Sequence, residues 1–312
     1  TINRIDFGTF YARRFRRLMP ALMLMLACFS VAVWQLLPSF RQSELALSAI
    51  TATFWTSNIH FALYRADYFG LDTQTNAFLH TWSLGVEEQF YLIWPSLIAL
   101  SMGARGSTKG HLLKVLVWIF ALSLTLSIGL TAYQQPSAFF LMPTRAWQFA
   151  AGSLTFILTE RFAHRAQASI QSDIGRLMSW SGIAILLLGL LLISETKVYP
   201  GIWAILPTTA TSLLLAGNTL NAHSPVARAL STAPAQWFGR ISYSWYLWHW
   251  PTISLGAALI SSSSPNLPIA LALASLFPAW LSFKLLEQPI RNARVLLIWP
   301  RRTILGALLI MV

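Results

Sequence analysis

His80-Thr-Trp-Ser-Leu-Gly-Val-Glu-Glu-Gln-Phe-Tyr-Leu-Ile-Trp-Pro95 opens an apolar segment at 78–100 and sets two adjacent carboxylates, Glu87 and Glu88, inside it. A charge at the centre of a membrane helix costs at least about 2.5–3.5 kcal/mol on insertion scales, so the pair requires partners or a wet cavity. Working outward from this stretch, comparable apolar segments run at 18–37, 112–132, 145–160, 178–194, 202–217, 238–260 and 267–286, and another begins near 303. A helix needs about 20 apolar residues to cross the hydrocarbon. Breakers such as Pro38, Gly103, Pro136, Pro200 and Pro265 separate the segments. The expected fold is therefore all-α: a polytopic transmembrane helix bundle of about eight full spans plus a partial ninth.

Composition agrees with a lipid-facing chain. Of 312 residues, 55% are apolar and 10% charged, against about a quarter charged in soluble domains. The net charge of +12 does not imply nucleic acid, because the basic residues lie in short clusters between apolar runs and not on one solvated face. Cys28 is the only cysteine, so no internal disulfide or cysteine metal site is expected, and it is expected to pack in a helix. Alternating sides along the chain, all but Arg41, Arg65, Arg145 and Lys197 of the 22 basic residues fall on one side. The positive-inside rule then predicts a cytoplasmic start. The long Ser39 to Ala77 connection is outside, with Ala46 to Phe61 as an interfacial helix. The polar start, Thr1 to Arg17, has no signal-peptide core. The apolar run from Ile304 to Val312 stops at about half a span, and the chain reads as a fragment at both ends.

Three further polar motifs interrupt the apolar pattern. Tyr11-Ala-Arg-Arg-Phe-Arg-Arg-Leu-Met-Pro20 places four guanidiniums before the first span. Arg14 and Arg17 share a helical face and could clamp one phosphate group; Arg13 and Arg16 have the same spacing. The competing reading is a topology anchor that holds anionic headgroups. Pro143-Thr-Arg-Ala-Trp-Gln148 puts Arg145 at the outer end of its helix, where it could answer Glu87 or Glu88 or bind a sugar. Ser242-Tyr-Ser-Trp-Tyr-Leu-Trp-His-Trp-Pro251 brings His249 near mid-membrane, with Ser242 and Tyr246 able to line its face.

In the opening stretch, His80 and Glu87 are seven residues apart, two turns on one face and about 10 Å apart in depth. The carboxylates either pair with arginines to fix the bundle or serve catalysis and substrate binding. No His-x-x-x-His or similar cluster accompanies them, so no metal is expected.

These phrases, together with Leu286-Glu-Gln-Pro-Ile-Arg291, stand in the order found in the acyltransferase-3 family of membrane O-acyltransferases, and the chain resembles that family over residues 10 to 291. The likeness is greatest to bacterial O-antigen and peptidoglycan O-acetyltransferases. The resemblance implies an acyltransferase domain over 1–302, truncated at its N-terminus, with 303–312 starting an additional helix. It implies transfer of an acyl group, typically acetyl, from a cytoplasmic acyl-CoA co-substrate to a hydroxyl of an extracytoplasmic glycan, in the bacterial inner membrane and with no bound cofactor.

Carried onto this sequence, the family's Arg-x-x-Arg motif maps to Arg14 and Arg17 as donor-binding residues, with Arg13 and Arg16 as the alternative register. Glu87, Glu88 and His80 are the catalytic candidates. Trp82, Arg145, Trp147, Tyr246 and His249 are candidates for acceptor binding or structural polar contacts. The family's general-base histidine is expected upstream of Thr1, and an SGNH-type domain is expected beyond the C-terminus in some relatives. The rival function is a proton-coupled secondary transporter of an anionic or sugar substrate, with the Glu pair carrying protons.

Overall fold

Asp6 starts the first helix: its carboxylate accepts from the Thr9 backbone N–H at 3.1 Å, which satisfies one of the orphan donors of a helix N-terminus. The two Thr9 donors hold the Asp6 carboxyl below its usual range. The protein is described here from a computed structural model, covering residues 6–64, 75–103, 109–194, 198–260 and 264–311. Among these residues there is no strand.

Two compact units are formed, one from residues 1–95 with 239–312, the other from 96–238. In the first unit, α1 runs Phe7–Leu36, α2 Ser39–Thr53 and α3 Ser57–Leu63, and α4, Thr81–Gly103, carries the Glu pair on the part before Ser96, where the second unit begins. The second unit contains α5 (Lys109–Tyr133), α6 (Gln135–Phe140), α7 (Ala146–Ala163), α8 (Ala168–Leu192), α9 (Ile205–Leu220) and α10 (Pro225–Leu230). The chain returns to the first unit through α11 (Ala233–Leu259), α12 (Leu267–Asn292), α13 (Arg294–Ile298) and α14 (Pro300–Met311).

Each apolar segment read from the sequence falls on a helix. Four of these helices, α1, α5 from Gly110, α8 and α12, are long and apolar enough to cross a membrane. The others are diluted by polar residues, as in α4 and α11, or short, as in α9 with 16 residues. The interfacial helix expected over 46–61 is two helices, α2 and α3. They are divided at Trp55, whose φ of +54° lies in the left-handed region. Residues 65–74 of that connection lie outside the described residues. Cys28, expected to pack, is instead exposed, because the buried stripe of α1, Leu22, Met25, Leu26, Phe29 and Val33, turns it outward.

That stripe is the core of the first unit, closed by Leu45, Ala52, Phe78, Leu84, Leu247 and Leu255. Between α3 and α4 the approach is close enough to require glycine: a β-carbon on Gly85 would stand 2.7 Å from Asn58 Oδ1 and 3.1 Å from the Trp55 carbonyl. The contact is then locked by a reciprocal amide pair between Asn58 and Gln89, at 3.1 and 2.8 Å. In the second unit, α8 and α9 meet through Gly175, Gly182 and Gly217. A β-carbon on Gly217 would run into Ser179 Oγ, the close backbone approach that small residues permit between packed helices.

Candidate active site

The carboxylates on α4 divide between two environments. Glu88 is buried, and Arg14 of α1 meets it as a fork: Nε donates to both carboxylate oxygens at 2.9 and 3.0 Å, and an Nη donates at 2.5 Å. The guanidinium also lies over the Tyr91 ring, 3.3 Å from its centre, so the cation is held by charge on one side and a π face on the other. Glu87, one step around the helix, keeps half its side chain exposed and reaches the same Arg14 only at 3.8 Å. The Glu pair thus has a basic partner, and it is Arg14; Arg145 finds its own partners elsewhere.

The other arginines of the cluster separate by helix phase. Arg13 and Arg17, four residues apart, are exposed and line with Arg14, Asp6, Thr9 and Tyr91 a mouth of about 510 Å3. The Arg17 charge also acts on Glu87, Glu88 and Glu287. Arg16 stands on another face and is buried.

Glu287 was outside the candidates read from the sequence, although it lies in the quoted Leu-Glu-Gln-Pro-Ile-Arg phrase. A π-helical turn, Phe283–Glu287, places it in the core at 2% exposure, where its carboxylate accepts from the Ser244 hydroxyl at 2.9 Å. Such turns often mark functional positions, and the sequence phrase does not reveal which way the turn points the side chain.

A second polar centre lies at the opposite end of this stretch. His80 sits in the turn preceding α4, 4% exposed, with its ring 5.2 Å from that of Tyr246 and 5.8 Å from that of His249. Pro251 removes the donor that the Leu247 carbonyl would have within α11, and this carbonyl faces His80. Neither ring nitrogen reaches full hydrogen-bond geometry with a described residue. The Tyr246 hydroxyl contacts the His80 carbonyl and Ser83 Oγ, the latter at 2.7 Å. His249 Nδ1 pairs with the Tyr246 carbonyl at 2.7 Å. Tyr246 and His249 are therefore brought together with His80. Ser242 is not, since its hydroxyl donates to the Gly239 carbonyl. Trp82, two residues after His80, is partly buried.

Arg145 and Trp147 belong to the second unit. Arg145 is buried, donates from Nε to the Phe139 carbonyl at 3.0 Å and lies beside the rings of Phe139 and Tyr199. Trp147, 1% exposed, donates its backbone N–H to Ser123 Oγ at 2.9 Å. Both fill the interior of that unit. No group of three or more metal-ligating side chains occurs among the described residues.

A buried carboxylate fixed to an arginine at a basic mouth, with a separate histidine centre, is an arrangement able to hold an anionic group beside a polar interior. The acyltransferase-3 family model, described as an acyltransferase domain, matches residues 1–284, and the chain belongs to this family. It is similar to the peptidoglycan O-acetyltransferase OatA of Listeria monocytogenes, 27% identical over 291 residues, covering 91% of this chain and 46% of the relative. It is also similar to the O-acetyltransferase OatA of Staphylococcus aureus, 26% identical over 295 residues, covering 93% and 48%. The chain spans about half the length of these relatives. No solved structure matches it.

Proposed function

We propose that this chain is the membrane-embedded part of an O-acetyltransferase that takes acetyl from acetyl-CoA at the Arg13–Arg17 mouth. The acceptor is a hydroxyl of a cell-wall glycan on the other side of the membrane, peptidoglycan being the substrate in the name of the Listeria relative. In this reading the protein lies in the bacterial inner membrane with about eight full spans and a partial ninth, and with the start of α1 cytoplasmic. The observation that carries it is the basic mouth of about 510 Å3 built against the pair of Arg14 with the buried Glu88.

The chemistry assigns different work to the arginines. Arg14 is already engaged by Glu88 and Tyr91, so Arg13 and Arg17 are the guanidiniums available for the donor's phosphates. Glu88 is a positioning residue that fixes Arg14, while the half-exposed Glu87 lies at the edge of the same charge group. A sugar hydroxyl is a weak nucleophile near neutral pH, and a base must take its proton as the oxygen attacks the acyl carbon. The new C–O bond replaces the thioester C–S bond, and the thiolate of CoA leaves. His80, buried beside His249 and the Tyr246 hydroxyl, is the group of this chain that we assign to the proton's path.

The test is acetyl transfer in membranes carrying the whole protein, with labelled acetyl-CoA and cell-wall glycan. Replacing both Arg13 and Arg17 with Ala should raise KM for acetyl-CoA at least about tenfold, the loss of one charge-assisted contact, with a smaller change in kcat. Unchanged transfer kinetics at unchanged protein level would overturn the donor-site reading.

A further inference from the structure

The helical phase that joins Arg13 and Arg17 at the mouth sends Arg16 elsewhere. At 3.6 residues per turn it points about 160° away from Arg14. It is 5% exposed, and its Nε and Nη1 meet no hydrogen-bond partner among the described residues. The charge that acts on it is the like charge of Arg13, so among the described residues nothing satisfies Nε and Nη1 or neutralises the cation. A buried cation in that condition is unfavourable unless something outside the chain completes it.

Arg16 lines a second cavity, about 530 Å3, walled by α1, the end of α12, α13 and α14. Arg302 lines the same cavity, exposed and with its guanidinium 4.6 Å from the centre of the Trp299 ring, which adds a second cation whose charge is not neutralised by that ring. From Arg302 to Ile310 the α14 wall extends about 12 Å, and Met23 and Leu286 are among the apolar side chains facing it. Two cations at one end of an apolar trough call for a ligand that is anionic at its head and hydrocarbon behind. Water could hydrate the guanidinium but would neither neutralise it nor fill the trough. The cations also stand at the end of α1 where the basic residues cluster, the level at which anionic headgroups attract a juxtamembrane Lys/Arg cluster.

We propose that the groove between α1 and α14 binds an anionic phospholipid, its phosphate held by Arg16 and Arg302 and one acyl chain lying along α14. The site is separate from the donor mouth and does not depend on the enzymatic reading. A zwitterionic lipid presents the same phosphate with a compensating ammonium, so preference for the anionic headgroup is the discriminating property.

The experiment uses the purified chain in phosphatidylcholine nanodiscs doped with a phosphatidylglycerol, or a phosphatidylcholine, that carries a photoreactive acyl chain. After irradiation, cross-linked peptides are quantified by mass spectrometry. Phosphatidylglycerol should label α14 and the first half of α1 on the order of tenfold more than phosphatidylcholine, and Arg16→Gln should remove that excess, as loss of a charge-assisted contact predicts. Gly306→Phe supplies a second variant that keeps every charge: Gly306 lines the trough, and a β-carbon there meets nothing within 4 Å, so the ring should occupy the acyl-chain path and reduce labelling similarly. Equal labelling by the two lipids would overturn the proposal. So would phosphatidylglycerol labelling that survives Gly306→Phe, even if Arg16→Gln proves too unstable to purify.

Discussion

Arg14 and Glu88 show how a single side chain can be read two ways until its partner is known. The fork they form is buried on the Glu88 side, so removing either partner strands the other charge, a change that typically costs about 3–5 kcal/mol for a buried pair. Because Arg14 retains some exposure, 16% of its side chain, the lower end of that range is expected for Glu88→Ala, followed as a loss of thermal stability in detergent. The double replacement of Arg14 and Glu88 by Ala should be less destabilising than the sum of the single changes, by about 1–3 kcal/mol of coupling. An additive result would mean that the pair is not formed. Glu87→Gln, at a half-exposed position with only a 3.8 Å approach to Arg14, should leave stability within about 0.5 kcal/mol. The spacing of Arg14 and Arg17 was legible in the sequence, as was the need of the Glu pair for a partner. The identity of that partner was not, because 74 residues separate Arg14 from Glu88 and several arginines were available by charge alone.

At the scale of elements, the glycines identify where helices approach most closely. Gly85→Ala would drive a methyl group into Asn58 and the Trp55 carbonyl, breaking the amide pair with Gln89, and Gly217→Ala would drive one into Ser179. Overpacking of this kind costs about 1–3 kcal/mol, measurable as a lowered unfolding midpoint. Gly129→Ala and Gly152→Ala meet nothing within 4 Å and lie inside helices, so they should raise the midpoint slightly through the helix propensity of Ala, by about 0.5–1 kcal/mol. The apolar runs predicted helices at these places because their length and hydrophobicity leave the backbone no better way to satisfy itself in lipid. They did not reveal the division of 46–61 at Trp55, nor the π-helical turn that buries Glu287, since both depend on a backbone geometry imposed by packing partners.

For the whole molecule, the segregation of basic residues makes the orientation testable. In a Cys28→Ser background, His164→Cys and Ser264→Cys place single exposed thiols on loops that the charge pattern puts on opposite faces. A membrane-impermeant maleimide added to intact cells should label the thiol at 264 and leave the one at 164 unreacted until the membrane is opened. Labelling of both from outside would sink the topology. Composition, charge asymmetry and the order of the motifs were by themselves sufficient for an all-helical membrane chain of the acyltransferase-3 family, because hydrophobic length and loop charge are local properties. Only the tertiary structure decided that Arg14 holds Glu88, that Arg16 faces a different groove, and that His80 lies with Tyr246 and His249. Those outcomes depend on helix phase and on contacts between segments far apart in the chain, where one residue of rotation carries a guanidinium from one cavity to another.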